Sequence, residues 1–209
     1  MVVMISNNAG FEAGYLYGKY PSKIAHLQNP VDYKTPKKNV SWALDNGVFG
    51  AHEKGAMWDQ EPFYKYLEKY YWAKPIWAVV PDSVGNRDET LKKWELHHKS
   101  VSGFVDNLAF AVQDGMVPED VPKHADVVFV GGSTSWKWRN LSLWTDNFPR
   151  VHVGRVNSYK LLWEAHEAGA ESCDGTGWFR GGAERLNELV TYLDESLIKE
   201  RPQGKLKFA

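Results

Sequence analysis

Short runs of consecutive apolar residues alternate along the chain with longer stretches in which apolar positions recur every three or four residues. The short runs occupy residues 2–5, 40–44, 76–80, 108–112, 127–130 and 151–153, and a weaker seventh precedes Asp174. Several are apolar throughout rather than alternating, the pattern of strands covered on both faces. The longer stretches predict helices over 61–72, 87–100, 158–168 and 183–200. Their ends carry helix signals. Pro62 suits a first turn, Asn86 and Asn157 can cap, Gly169 can stop a helix, and Arg201-Pro202 ends the last one. Residues 7–38 read as a long loop with little helix.

Strand, loop and helix in repeated order predict a parallel sheet with right-handed crossovers. Seven or eight such units fit an α/β protein built as a compact (β/α)8 TIM-like barrel. At 209 residues the chain is near the low end for that fold, so some helices are expected to be shortened or missing. One domain spanning 1–209 is expected, with no linker, sequence repeat or low-complexity region. No Gly-x-Gly-x-x-Gly follows the first strand, which speaks against a dinucleotide-binding fold.

Composition narrows the chemistry. A formal net charge of -1 supplies no global field to draw the protein to nucleic acid or anionic membrane, though local patches remain. Lys34, Lys37 and Lys38 form one such cluster. Lys137 with Arg139, and Lys199, Arg201, Lys205 and Lys207, form two others, and solvated surface is the favoured reading of each cluster alone. Cys173 is the single cysteine, so no internal disulfide or multi-cysteine zinc site exists, and a cytoplasmic setting is expected. No apolar stretch reaches the roughly 20 residues of a membrane span. Met1-Val2-Val3-Met4-Ile5 lacks the basic start of a signal peptide and reads as a buried strand. The 10 tryptophans divide between core and possible stacking faces. The adjacent His97-His98 pair cannot face one site from a helix and is expected at the surface.

Barrel active sites lie at the C-terminal ends of the strands. In chain order those ends carry Asn7-Asn8, Asp45-Asn46-Gly47, Asp82-Ser83, Gln113-Asp114-Gly115, Gly131-Gly132, Gly154-Arg155 and Asp174-Gly175. Singly, each is an ordinary turn signal. In register, they predict one polar pocket walled by Asp45, Asp82 and Asp174. Carboxylates, an amide and exposed backbone suit a purine-like heterocycle, with Phe49 or Trp136 as stacking partners. No nucleophile elbow and no phosphate-cradling loop is present.

Taken in order, these motifs resemble the tRNA-guanine transglycosylase superfamily, which includes queuine, archaeosine and phage or bacterial DNA 7-deazaguanine transglycosylases. The likeness is a series of short motifs across roughly residues 40–177. Leu44-Asp45-Asn46-Gly47-Val48-Phe49 looks like the family's Asp-Ser-Gly-Gly-Phe-Gln. Pro81-Asp82 is similar to its base-recognising aspartate, and Val112-Gln113-Asp114-Gly115 to its Val-Gln-Gly-Gly. Val130-Gly131-Gly132 resembles its next Gly-Gly, and His152-Val153-Gly154 its Met-Gly-Val-Gly. Cys173-Asp174 stands where the family keeps its nucleophile.

The resemblance implies base exchange through a covalent aspartyl-sugar intermediate. Asp174 would be the nucleophile and Asp45 the proton-transfer group. Asp82, Gln113, Asn46, Phe49 and the amides of Gly131 and Gly132 would bind the base, with Gly154 allowing close approach. Lys137, Arg139 and Arg180 are candidate contacts to a nucleic-acid backbone. The implied partners are nucleic acid and a free purine or 7-deazapurine base; no cofactor is implied. The family's zinc-binding cysteines are missing, Asn46 replaces Ser, and Asp114 replaces Gly. These departures and the short chain favour DNA over tRNA, in the cytoplasm or, for a phage-encoded chain, that of the host. Two alternatives remain. One is a base-releasing glycosylase or nucleoside hydrolase on the same fold. The other is a non-catalytic barrel that binds nucleic acid or protein. Trp136-Lys137-Trp138-Arg139 suits the latter, and suits equally well the start of an amphipathic helix.

Overall fold

The computed structural model describes residues 1–6 and 10–199. Asn7, Asn8, Glu200, Arg201, Pro202, Lys205 and Lys207 lie outside the described residues. Eight parallel strands close into a barrel in sequence order. They are β1 (Val2–Ser6), β2 (Ile24–Gln28), β3 (Trp42–Leu44), β4 (Ala78–Val79), β5 (Leu108–Val112), β6 (Val127–Val130), β7 (Val151–Val153) and β8 (Ser172–Asp174). Pairing of β1 with β8 sets Met4 against Asp174 and seals the sheet. The expected (β/α)8 fold is therefore present.

The helices are α1 (Phe11–Lys19), α2 (Val48–Glu53), α3 (Glu61–Tyr70), α4 (Arg87–Ser102), α5 (Thr134–Asn147), α6 (Tyr159–Glu167) and α7 (Gly182–Lys199). After β2 and β5 the chain makes only single 3-10 turns, Pro30–Asp32 and Pro118–Asp120, in place of helices. Asn86 caps α4 by accepting from Glu89 N at 3.0 Å. Ser158, not Asn157, caps α6 by accepting from Leu161 N. Among the described residues, no helix is long and apolar enough to cross a membrane.

Residues 7–38 depart from the expected loop. They hold both α1 and β2. Gly14 and Gly18 lower the helix propensity of α1. In β2 His26 and Gln28 interrupt the apolar run, yet both are buried. His97 is also buried rather than surface, with Nδ1 2.8 Å from the Tyr64 hydroxyl.

Strand alternation separates two apolar layers. Outward positions such as Val3, Ile5, Phe110, Val128 and Val153 pack under the helices with Trp94, Trp144 and Tyr192. Inward positions are smaller: Ala25, Ala43, Ala109 and Ala111 surround Met4, Trp77 and Val79. Fully burying each large outer side chain contributes about 1.5–3 kcal/mol, so the outer layer carries most of the apolar stabilisation. The small inner residues leave room above them at the C-terminal mouth.

Candidate active site

A cavity of about 610 Å³ opens at the C-terminal ends of the strands. Asp45, Asp82 and Asp174 all line it. So do Asn46, Phe49, Gln113, Gly131, Gly132, Gly154 and Arg180. The three strand-end carboxylates therefore share one chamber.

Asp82 is held by amides. Its Oδ1 accepts from Asn46 Nδ2 at 2.8 Å and its Oδ2 from Gln113 Nε2 at 2.6 Å. Gln113 Oε1 in turn accepts from Gly85 N at 2.9 Å. Burial raises the Asp82 carboxyl above its ordinary value, and its hydrogen bonds with Asn46 and Gln113 pull the other way. Both Asn46 donors are engaged, since its amide also reaches Val80 O at 3.2 Å. Asn46 thus holds Asp82 in place rather than presenting a free donor to a ligand.

Asp45 follows β3, and its amide donates to Gln28 O at 2.9 Å. The unanticipated strand β2 therefore anchors it. Its carboxyl is pushed up to about 7, chiefly by burial, then by the negative charges of Asp174 and Asp82. Near neutral pH such a group exists in both protonation states, as a proton-transfer residue requires.

Asp174 ends β8 with its side chain 13% exposed. Its Oδ2 lies 3.1 Å from His152 Nε2, and its Oδ1 accepts from Arg155 N at 3.3 Å. Gly154 makes this packing possible. A Cβ there would fall 2.9 Å from the Phe129 ring and 3.4 Å from Asp174 Oδ2.

Several expectations are corrected. Lys137 cannot meet a nucleic-acid backbone, because it is 1% exposed. It shares a stripe of α5 with Leu141 and Trp144, and its Nζ donates to Gly154 O. Burial lowers its pKa to about 8. The Gly131 amide is not free for a base edge, because it donates to Val112 O at 3.2 Å along the ladder. Phe49 keeps its place at the mouth, but the Arg155 guanidinium covers its ring at 4.5 Å. Trp136 packs half-buried against the outer core and is not among the residues lining the cavity. Arg139 and Arg180 are exposed, and of the two only Arg180 lines the cavity.

Two residues at the site stood in the strand-end motifs without being given a role. His152 lies inside the barrel beneath Asp174. The one signal for it was a polar residue alternating with two valines in β7. Arg155 has φ 60, lines the mouth and donates to Gly132 O. Its only signal was its position after Gly154. Cys173 is buried, and among the described residues no group of three His, Cys, Asp or Glu could hold a metal ion.

Neither the protein-family models nor the curated proteins compared with the chain give a match.

Proposed function

We propose that this barrel is a base-exchanging transglycosylase that replaces a guanine-like base in nucleic acid with a 7-deazapurine, DNA being favoured over tRNA. The observation that carries this reading is the convergence of Asp45, Asp82 and Asp174 on one cavity, with Asp45 raised to about 7. The resemblance of the strand-end motifs to the tRNA-guanine transglycosylase superfamily supplies the chemistry.

In the first half-reaction an Asp174 oxygen bonds to the anomeric carbon of the target nucleotide. The glycosidic bond breaks, its electron pair goes to the base, and Asp45 gives that base its proton. The sugar stays esterified to Asp174. In the second half-reaction Asp45 takes a proton from the incoming base. The freed nitrogen pair attacks the anomeric carbon, the ester breaks, and the Asp174 carboxylate returns. Asp82 and Gln113 hold the base through the lone pairs and the amide proton that their mutual bonding leaves open. The target base must leave its stack to enter.

The test is mass spectrometry of nucleosides from DNA and tRNA incubated with the protein and 7-deazapurine bases. A new base in wild-type samples supports exchange, whereas abasic sites favour the hydrolytic alternative. Asp174→Ala is expected to lower exchange by about 10⁴-fold or more. Undiminished exchange in that variant, or no product from wild type, overturns the reading.

A further inference from the structure

We propose that His152, oriented by Ser172, is a positioning residue that holds the Asp174 carboxylate in its attacking orientation. The proposal rests on reading Asp174 as the nucleophile. Two of its supports are independent of that reading: burial and hydrogen-bond geometry.

In β7 the valines face outward, and His152 faces the barrel interior. The ring is 0% exposed and lies between Trp77, at 4.9 Å, and Phe129, at 4.7 Å. An imidazole in such surroundings is costly unless its nitrogens have partners. Both do. Nδ1 lies 2.8 Å from Ser172 Oγ, and Nε2 lies 3.1 Å from Asp174 Oδ2. The register explains the chain of contacts. His152 pairs with Ser172 across the β7–β8 ladder, and Ser172 and Asp174, two apart on β8, share its inner face.

An ionised carboxylate only accepts, so Nε2 carries the proton. In the neutral ring Nδ1 then accepts from the Ser172 hydroxyl. Asp174 is held from below by a ring N–H and from the side by Arg155 N, so two fixed donors set its direction. The cluster inside the barrel is otherwise apolar, with Ala25, Ala43, Ala109 and Ala111 among its members. Apolar filling would serve packing alone. The polar chain lies where a carboxylate must be aimed.

Two measurements test this. The first is imidazole ¹⁵N NMR of the full-length chain, with His152→Gln used to assign the signal. The expected spectrum shows the Nε2–H tautomer, and its signal shifts in Asp174→Ala. The Nδ1–H tautomer, or a signal indifferent to Asp174→Ala, overturns the proposal. The second is exchange kinetics. His152→Phe should lower kcat by about 10²-fold with KM changed less than about threefold, the mark of misplacement rather than lost binding. His152→Gln, which restores an N–H donor, should recover about tenfold of that loss. An unchanged kcat in folded His152→Phe also overturns it. A wild type without exchange refutes the proposed function, and the spectrum still decides whether His152 orients Asp174.

Discussion

The two sides of the cavity mouth hold their carboxylates by different means. On the β3–β5 side Asp82 is gripped by the neutral amides of Asn46 and Gln113. Asp45 beside it is left partly protonated near neutral pH. On the β7–β8 side Asp174 is fixed by His152 and a backbone amide, with Lys137 buried one layer behind at Gly154 O. The first arrangement suits reading a base and moving a proton. The second suits a carboxylate that must keep its direction. Neighbouring titratable groups set apart by their environments are how one chamber divides acid-base work.

That contrast can be broken most severely at Gly154. Gly154→Ala would press Phe129 and Asp174 apart. Exchange is expected to fall about 10²-fold, measured as kcat with labelled base, while the fold persists by circular dichroism. A loss under threefold would show that the β7–β8 side tolerates displacement. Next comes the amide side. Gln113→Leu removes a donor from Asp82 and the acceptor for Gly85 N. It should destabilise the protein by about 1–3 kcal/mol in urea titration and raise KM for the free base.

Asp45 sharpens the comparison through pH. Its folded value of about 7 lies above the ordinary 3.8, so the folded state keeps a proton that the unfolded chain gives up between those limits. The associated stability is fully present below 3.8 and is lost as pH rises through about 7. Relative to Asp45→Asn, wild type should lose up to about 1.4 kcal/mol per pH unit in that window, read from unfolding at pH values across it. Parallel curves would mean that Asp45 titrates as an ordinary carboxylate. The smallest effect is expected at the clasp joining the two sides. Arg155→Gly relieves a positive φ but forfeits the contact over Phe49 and the hydrogen bond to Gly132 O. The relief offsets only part of the two losses at about 0.5–1 kcal/mol each, so a destabilisation of about 1 kcal/mol or less is expected in thermal unfolding. A loss above about 2 kcal/mol would make the clasp structural.

Seven of the eight strands were visible as apolar runs because a sheet covered on both faces needs them. β2 was hidden for the opposite reason. His26 and Gln28 are polar side chains that only the closed barrel buries. The three aspartates could be found because each stands at or just past the end of a strand and precedes a glycine or a turn. Lys137 misled because its hydropathy says surface, although its spacing of four and seven from Leu141 and Trp144 marks the buried stripe of α5. His152 could not be assigned a role from β7 alone. Its meaning depends on Ser172 and Asp174, which the β7–β8 register brings alongside.

The seam between β1 and β8 has a consequence for biogenesis. Met4 and Asp174 are ladder partners although nearly the whole barrel separates them along the chain. Synthesis delivers β1 well before β8, the strand that carries the candidate nucleophile. Pairing over so great a separation is slow, since the chain must lose much freedom before the contact forms. Chains in which β8 has not yet paired with β1 therefore lack the shared chamber of Asp45, Asp82 and Asp174, and the cavity forms only as the barrel closes.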